Sequence, residues 1–257
     1  MITEQPPQNI DTIDSKVSKF PKDASESSTS PVNIDLKIKI EDIKAQLTTT
    51  INAAFMREDL SEKEQNDIIK KGKVESYCQL TVLYYQNNMY PKALAYASAL
   101  HQIDANNPVF TYTLASILNK LNMGRIATTL GLSLIKSDPN NHEYHAILAT
   151  SYSLINRYTE ALKYQKKADL LLPNKFEYKA SLGLIYKKLG EATQSISYYE
   201  QALAINPNSA SVNIALAEVY FEKRNIIMAR QYSKAALSLS PHNRFIQAKS
   251  REIIGKS

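Results

Sequence analysis

Apolar and small residues recur along residues 74–243 at helical spacing, and the whole pattern returns every 34 residues. Leu80, Leu114, Leu148, Leu182 and Leu216 occupy one column. The next residue is always small (Thr81, Ala115, Ala149, Gly183, Ala217), and three residues further come Tyr84, Leu118, Tyr152, Tyr186 and Tyr220. Offsets of one and four place the three columns on one face of a helix. A second helix carries Ala93, Ala127, Ala161, Ser195 and Ala229, then Leu100, Leu134, Ala168, Ala202 and Ala236 two turns later. Tyr96, Tyr164, Tyr198 and Tyr232 add bulk to that helix. Pro139, Pro173, Pro207 and Pro241 close successive windows, with Ala105 in the same column and Pro108 just beyond it. Proline lacks an N–H and disfavours a helical residue before it, so it stops the second helix. The pattern predicts five helical hairpins, 74–107, 108–141, 142–175, 176–209 and 210–243. Each hairpin leaves an apolar flank that only a stacked neighbour can cover.

Outside the repeats the pattern changes. Leu36, Ile40, Ile43, Leu47, Ile51 and Ala54 form a helical seam. Residues 32–40 also alternate like a strand, but no partner strand is visible and the helix is preferred. Ser61 and Glu64 make a capping-box signature that starts a helix leading into the first window. Residues 34–73 are therefore an N-terminal helical segment, and its seam offers a surface for self-association. Residues 244–257 are expected to be a C-terminal capping helix, with Phe245, Ile246, Ile253 and Ile254 in one stripe. Residues 1–33 hold four of the ten prolines, a Ser/Thr run from Ser25 to Ser30 and few apolar residues, which reads as a disordered tail.

Composition narrows the function. The net charge is +6; the tail's three Lys against five acids give it −2, so the body carries +8. Such a body could attract RNA through Lys163, Lys166, Lys167, Lys187 and Lys188, but no basic block is long or ordered enough to make nucleic acid the expected partner. The single cysteine, Cys78, excludes an intrachain disulfide and a multi-cysteine zinc site. His142 and His145 share a helical face without further metal ligands, which favours structural roles. Gly is scarce at 6 and no phosphate-loop, dinucleotide-binding or nucleophile-elbow motif appears. The expectation is a non-enzyme with no cofactor or metal. The N-terminus lacks a signal-peptide pattern and no apolar run is long enough to span a membrane, so a cytoplasmic protein without membrane insertion is expected.

The repeated columns resemble the tetratricopeptide repeat family, whose unit is 34 residues long. Window 176–209 matches best, with Lys179 where the family favours a large apolar residue. Window 108–141 matches least, with Gly124 and Gly131 in its second helix, where glycine weakens a helix interior and softens the junction. The resemblance implies an all-α, right-handed superhelix of five hairpins, with the first helix of each lining a concave groove. It further implies a partner-binding set of Cys78, Val82, Tyr85, Val109, Tyr112, Ser116, Asn119, Ala146, Thr150, Ala180, Leu184, Lys187, Ile214, Glu218 and Phe221. Tyr85, Tyr112 and Phe221 are the expected anchors. The family's chaperone-binding members grip a carboxylate with Lys, Asn and Arg, whereas Cys78, Val82, Glu143 and Ile147 stand at those sites here, so that clamp is rejected. Residues 83–108 after an N-terminal helical segment also look like the class II type III secretion chaperones, which hold translocator subunits. The function so implied is an adaptor or chaperone holding an apolar segment of another protein.

Overall fold

The computed structural model describes residues 31–255, and among them are twelve helices and no strand. In chain order these are α1 (Pro31–Phe55), α2 (Glu62–Gln86), α3 (Tyr90–Ile103), α4 (Pro108–Lys120), α5 (Gly124–Ser137), α6 (His142–Leu154), α7 (Tyr158–Leu171), α8 (Phe176–Lys188), α9 (Ala192–Ile205), α10 (Ala210–Glu222), α11 (Ile226–Leu239) and α12 (Arg244–Gly255). They fall into two units, α1–α4 in Met1–Asn122 and α5–α12 in Met123–Ser257. The division lies inside the second window, at the turn after α4, rather than between windows. The tail expected over residues 1–33 lies outside the described residues up to 30, and α1 begins at Pro31.

In unit 2, α6 and α7, α8 and α9, and α10 and α11 are antiparallel neighbours that pack as hairpins; α2 and α3 do so in unit 1. The columns read from the sequence form their cores. Leu80, Leu148, Leu182 and Leu216 are buried, as are Ala93, Ala161, Ser195 and Ala229 on the second helices. Side chains this small let two helices come close, and close packing recovers dispersion contacts that a gap would forfeit. The recurring tyrosines complete each hairpin as parallel ring stacks: Tyr84 on Tyr96, Tyr152 on Tyr164, Tyr186 on Tyr198 and Tyr220 on Tyr232, with centroids 5.3–5.7 Å apart. Stacked aromatics are worth about 0.5–1.5 kcal/mol beyond their buried area.

The turn between the two helices of a window is also periodic. Asn88, Asn122, Asn156, Gly190 and Arg224 all take positive φ, between 57° and 80°, at the same place in five successive windows. After four of these, the next residue donates its backbone N–H to the carbonyl of Tyr84, Tyr152, Tyr186 or Tyr220 at 2.9–3.0 Å, the long bond that closes a helix in a left-handed cap. Asn107 and Asn141 cap the starts of α4 and α6 through their side-chain oxygens, Ser209 caps α10, and Asn243 caps the backbone N–H groups of Phe245 and Ile246. These columns went unread in the sequence, although Asn at 34-residue spacing is a visible signal.

The capping box at Ser61 and Glu64 is formed, and its helix runs without a break into the first window as α2. The α1 seam packs on α2: Leu36, Ile40, Ile43 and Ala54 are buried, and Leu47 and Ile51 are half-buried. These residues serve the chain's own core, while Ile38 and Phe55 of the same helix stay exposed. At the other end, Ile246 and Ile253 of α12 are buried against Ile214, Ala217 and Ala229, while Phe245 is 60% exposed and leaves the expected stripe.

The glycines of the second window sit where α5 comes close to α6. Gly124 is the first residue of α5, and a Cβ there would meet the Ser151 carbonyl at 2.8 Å. A Cβ on Gly131 would meet Leu148 at 3.1 Å, so α5 lies closer to α6 than an alanine would permit without adjustment. The tightest case is Gly183, where a Cβ would sit 2.5 Å from the Tyr199 ring. Gly183→Ala is expected to destabilise the chain by about 1–3 kcal/mol despite its better helix propensity, measurable by urea unfolding. Arg224 sits at φ 61° without the freedom of glycine. Arg224→Gly is expected to raise stability by about 0.5–1 kcal/mol in the same assay, because the left-handed conformation costs an L-residue roughly 1–2 kcal/mol and glycine's greater loss of freedom on folding offsets part of the gain.

Candidate partner-binding face

Packing uses the leucine, small and tyrosine columns of each first helix, and this decides which side chains remain free. In unit 1, Cys78 and Tyr85 of α2 are half-buried and Val82 is 52% exposed; on α4, Val109 is 64% exposed and Tyr112, Ser116 and Asn119 are half-buried. Tyr85 is partly engaged already, edge-on to Tyr90 at 5.4 Å. A cavity of about 560 Å³ opens between α1 and α2, lined by Lys39, Asp42, Ile43 and Gln46 on one side and Cys78, Gln79, Val82 and Leu83 on the other. Burial pushes the Cys78 thiol pKa up, which favours a neutral, weakly nucleophilic sulfur in an apolar setting.

In unit 2, Ala146 and Thr150 of α6 and Ala180 and Leu184 of α8 remain accessible, with Leu184 48% exposed. Towards α12 the face closes. Ile214 is only 3% exposed, inside the cluster with Ile246 and Ile253, and Phe221 packs against the same cluster. Ile214 is thus covered, and Phe221 is half-buried: α12 begins 34 residues after Ala210 and occupies the place of a further first helix. Gln247 keeps that register, since its amide donates to the Pro241 carbonyl at 2.6 Å, as the His145 ring does to Pro139 at 2.8 Å one hundred and two residues earlier.

The remaining chemistry is structural. His142 Nδ1 lies 2.7 Å from the Tyr178 hydroxyl, joining α6 to α8. Lys179, the apparent departure in the best window, forms a 2.7 Å ion pair with Asp169 of α7 at 13% and 16% side-chain exposure, and its ammonium lies 5.8 Å from the Tyr198 ring centroid. The pair joins successive hairpins where the repeat pattern has an apolar contact. Lys163 and Lys166 lie over Tyr164 and Tyr186, and Lys187 pairs with Glu218 of α10. Among the described residues, no group of three His, Cys, Asp or Glu is placed to hold a metal ion, and no helix is long and apolar enough to cross a membrane.

A family model described as TPR repeat matches residues 183–223, and one described as tetratricopeptide repeat matches 210–243. Residues 183–243 carry tetratricopeptide repeats. Solved structures of the same fold include TTC0263, a thermophilic TPR protein of Thermus thermophilus, at 22% identity and TM-score 0.62, covering 70% of this chain and 98% of that one. PilF of Pseudomonas aeruginosa is similar at 21% identity and TM-score 0.60, covering 73% of this chain and 85% of its own. MamA from Desulfovibrio magneticus RS-1 is similar at 18% identity and TM-score 0.58, covering 67% and 97% respectively. No curated protein matches the chain. Tetratricopeptide repeats mediate protein–protein interaction, so a protein-interaction adaptor is the general role that they bring to this chain.

The tetratricopeptide face of unit 2 ends in a charge network. Lys187 of α8 reaches Glu218 of α10 at 2.5 Å, and Glu218 also receives Lys249 of α12 at 3.2 Å; Glu222 lies 3.6 Å from Lys187 and Glu252 3.8 Å from Lys249. Lys187 and Glu218, both expected to face a partner, are thus paired with each other. Burial alone would raise the Glu218 pKa, but the hydrogen bonds and charges of Lys187 and Lys249 outweigh it and hold the carboxyl below its ordinary range. A lowered folded-state pKa means that the stabilisation is present above the ordinary carboxylate pKa and is lost as pH falls through the lowered value. Thermal unfolding followed from pH 7 downward is expected to show a loss of stability across that acid window, shallower in Glu218→Gln than in the parent.

Proposed function

We propose that the chain is an adaptor or chaperone that holds an apolar segment of a partner protein on the free faces of its first helices. The observation that carries this reading is the exposure of large apolar side chains in columns that hairpin packing does not use: Val82 at 52%, Val109 at 64% and Leu184 at 48%. Exposed apolar groups scattered singly need no explanation, but Val82 and Leu184 share one recurring position of the first helices, beside Cys78, Tyr112, Ala146 and Ala180 at another. Small and apolar floors with an occasional aromatic favour an extended or helical peptide with apolar anchors. The face in unit 2 is bounded by the Lys187–Glu218–Lys249 network, which favours an apolar contact at Leu184 and Ala180 and not at Ile214 or Phe221.

The test is affinity capture from the native cell with the full chain as bait, comparing the parent with Val82→Glu and with Leu184→Glu. Each substitution sits on an exposed helix position, so circular dichroism should be unchanged. Loss of the same partner from both variants, at about tenfold or greater loss of affinity for an apolar anchor, supports the reading. Undiminished capture by both sinks it. If the partner lost were a secreted translocator subunit, the secretion-chaperone form of the reading would follow.

A further inference from the structure

α1 packs on α2 through the face that carries Leu36, Ile40, Ile43 and Ala54, and its opposite face is exposed. On that opposite face Ile34 is 56% exposed, Ile38 53% and Met56 82%, with Ala45 and Asn52 exposed between them. Met56 lies one residue past the end of α1 but keeps the helical register, because its backbone N–H donates to the Asn52 carbonyl at 3.1 Å. At about 100° per residue the five positions fall within about 40° of one another around the helix. Their spacing is palindromic: Ile34 and Ile38 stand eleven and seven residues before Ala45, and Asn52 and Met56 stand seven and eleven after it. A two-fold interface brings residue i onto residue j and j onto i, so it needs a surface that matches itself when reversed. Reversed about Ala45, Ile34 meets Met56, Ile38 meets Asn52, and the smallest side chain of the stripe falls at the centre, where the helices come closest. We propose that two copies of the chain associate along α1, antiparallel about a two-fold axis at Ala45.

Charge follows the same reversal. All six charged residues of α1, three of each sign, lie between Asp35 and Lys44, and residues 45–55 carry none. An antiparallel pair therefore sets each charged half against an uncharged half. A parallel pair would instead place Glu41 on Glu41 and Asp42 on Asp42, and like charges so juxtaposed are costly. Lys39 pairs with Asp35 at 3.0 Å and Lys44 with Glu41 at 3.3 Å within the helix, so two of the three acids keep their partners whatever lies opposite. One helix per copy makes a contact smaller than the roughly 800 Å² per partner of a standard interface, so the expected dissociation constant is on the order of tens of micromolar. The contact lies on the side of α1 away from α2 and its repeat packing. A dimer would thus present two partner-binding faces at once, and a bivalent partner would be held more tightly than by either face alone. Only that consequence rests on the partner-binding reading; the pairing itself does not.

Sedimentation equilibrium of the full chain, from about 5 to about 300 µM, reads the association, because a dimer's population depends on protomer concentration. The weight-average mass is expected to rise with concentration in the parent. In Ile38→Asp/Met56→Asp, whose two positions are exposed, circular dichroism should be unchanged and association at least about tenfold weaker. Orientation is read separately, on single-cysteine chains in a Cys78→Ser background with a short bismaleimide. Ala45→Cys is expected to crosslink to itself, and Ile34→Cys to Met56→Cys when the two chains are mixed. Ile34→Cys alone should not crosslink, since in the antiparallel pair its two copies stand about 33 Å apart at 1.5 Å per residue. None of these readouts depends on capture by the Val82 and Leu184 variants. A monomer at every concentration would overturn the proposal, as would association that survives the double substitution, and self-crosslinking of Ile34→Cys would overturn the antiparallel two-fold.

Discussion

The distance at which two helices of a hairpin can approach governs the rest of this chain. The approach depends on a pair of buried positions, one on each helix. Thr81 faces a helix bearing Ala97, Ala149 one bearing Gln165, and Ala217 one bearing Ser233; all six are almost wholly buried. Only where the first position is Gly183 does the second become Tyr199, whose ring then occupies the space of the missing Cβ. A close-packed interior tolerates redistribution of volume far better than an added or removed methyl group. What recurs across these four hairpins is therefore the burial of both positions, and the residue types that occupy them vary. The Tyr–Tyr stacks follow from that packing, because ring planes 6–13° from parallel need helix axes held at one separation.

That constraint also sorts the remaining side chains. Once the leucine, small and tyrosine columns are committed to packing, a first helix retains one face, and this face must be covered by a neighbour or left open. α12 covers it at Ile214 by taking the register of another first helix, down to the side-chain bond that Gln247 makes to Pro241. Lys249 then completes the charge of Glu218, which Lys187 shares, so the apolar and ionic contacts of α12 reinforce each other. Glu218 is half-buried, and its carboxylate accepts from two ammonium groups, which offsets the desolvation that would otherwise favour the neutral acid.

The fold was legible because hairpin packing is local and periodic: Leu80 predicts Leu216 by position alone, and both are buried. The turn chemistry was equally periodic and still went unread, since Asn88, Asn122 and Asn156 are replaced in the same column by Gly190 and Arg224, and no side-chain type defines the column. What defines it is a backbone conformation. The site was less legible for a different reason. The first-helix columns were assigned by resemblance as if every window had open flanks, but coverage depends on which element comes next. Lys187 looked equally like a groove residue and an outward lysine; its charge partner, Glu218, lies thirty-one residues away on another helix. Lys179 looked like a defect in the best window, and only the placement of Asp169 ten residues earlier makes it an inter-hairpin contact.

The two ends of the repeat array meet the same problem with helices of different kinds, and the difference locates the free apolar surface. A terminal hairpin exposes the flank that an inner hairpin hides, so something polar on its outer side must cover it. α12 has the length and register of a repeat helix, so it fits the flank and buries Ile214 and part of Phe221 together with its own Ile246 and Ile253. α1 is twenty-five residues long and packs through a seam of Leu36, Ile40, Ile43 and Ala54, which is not the repeat pattern. Seated by its own seam, it meets α2 along one line and stands away from it along another, and the gap is the 560 Å³ cavity beside Cys78 and Val82. The apolar cavity in unit 1 thus arises from a mismatch between a cap and the repeat it covers, which is why it appears in the structure and not in the columns.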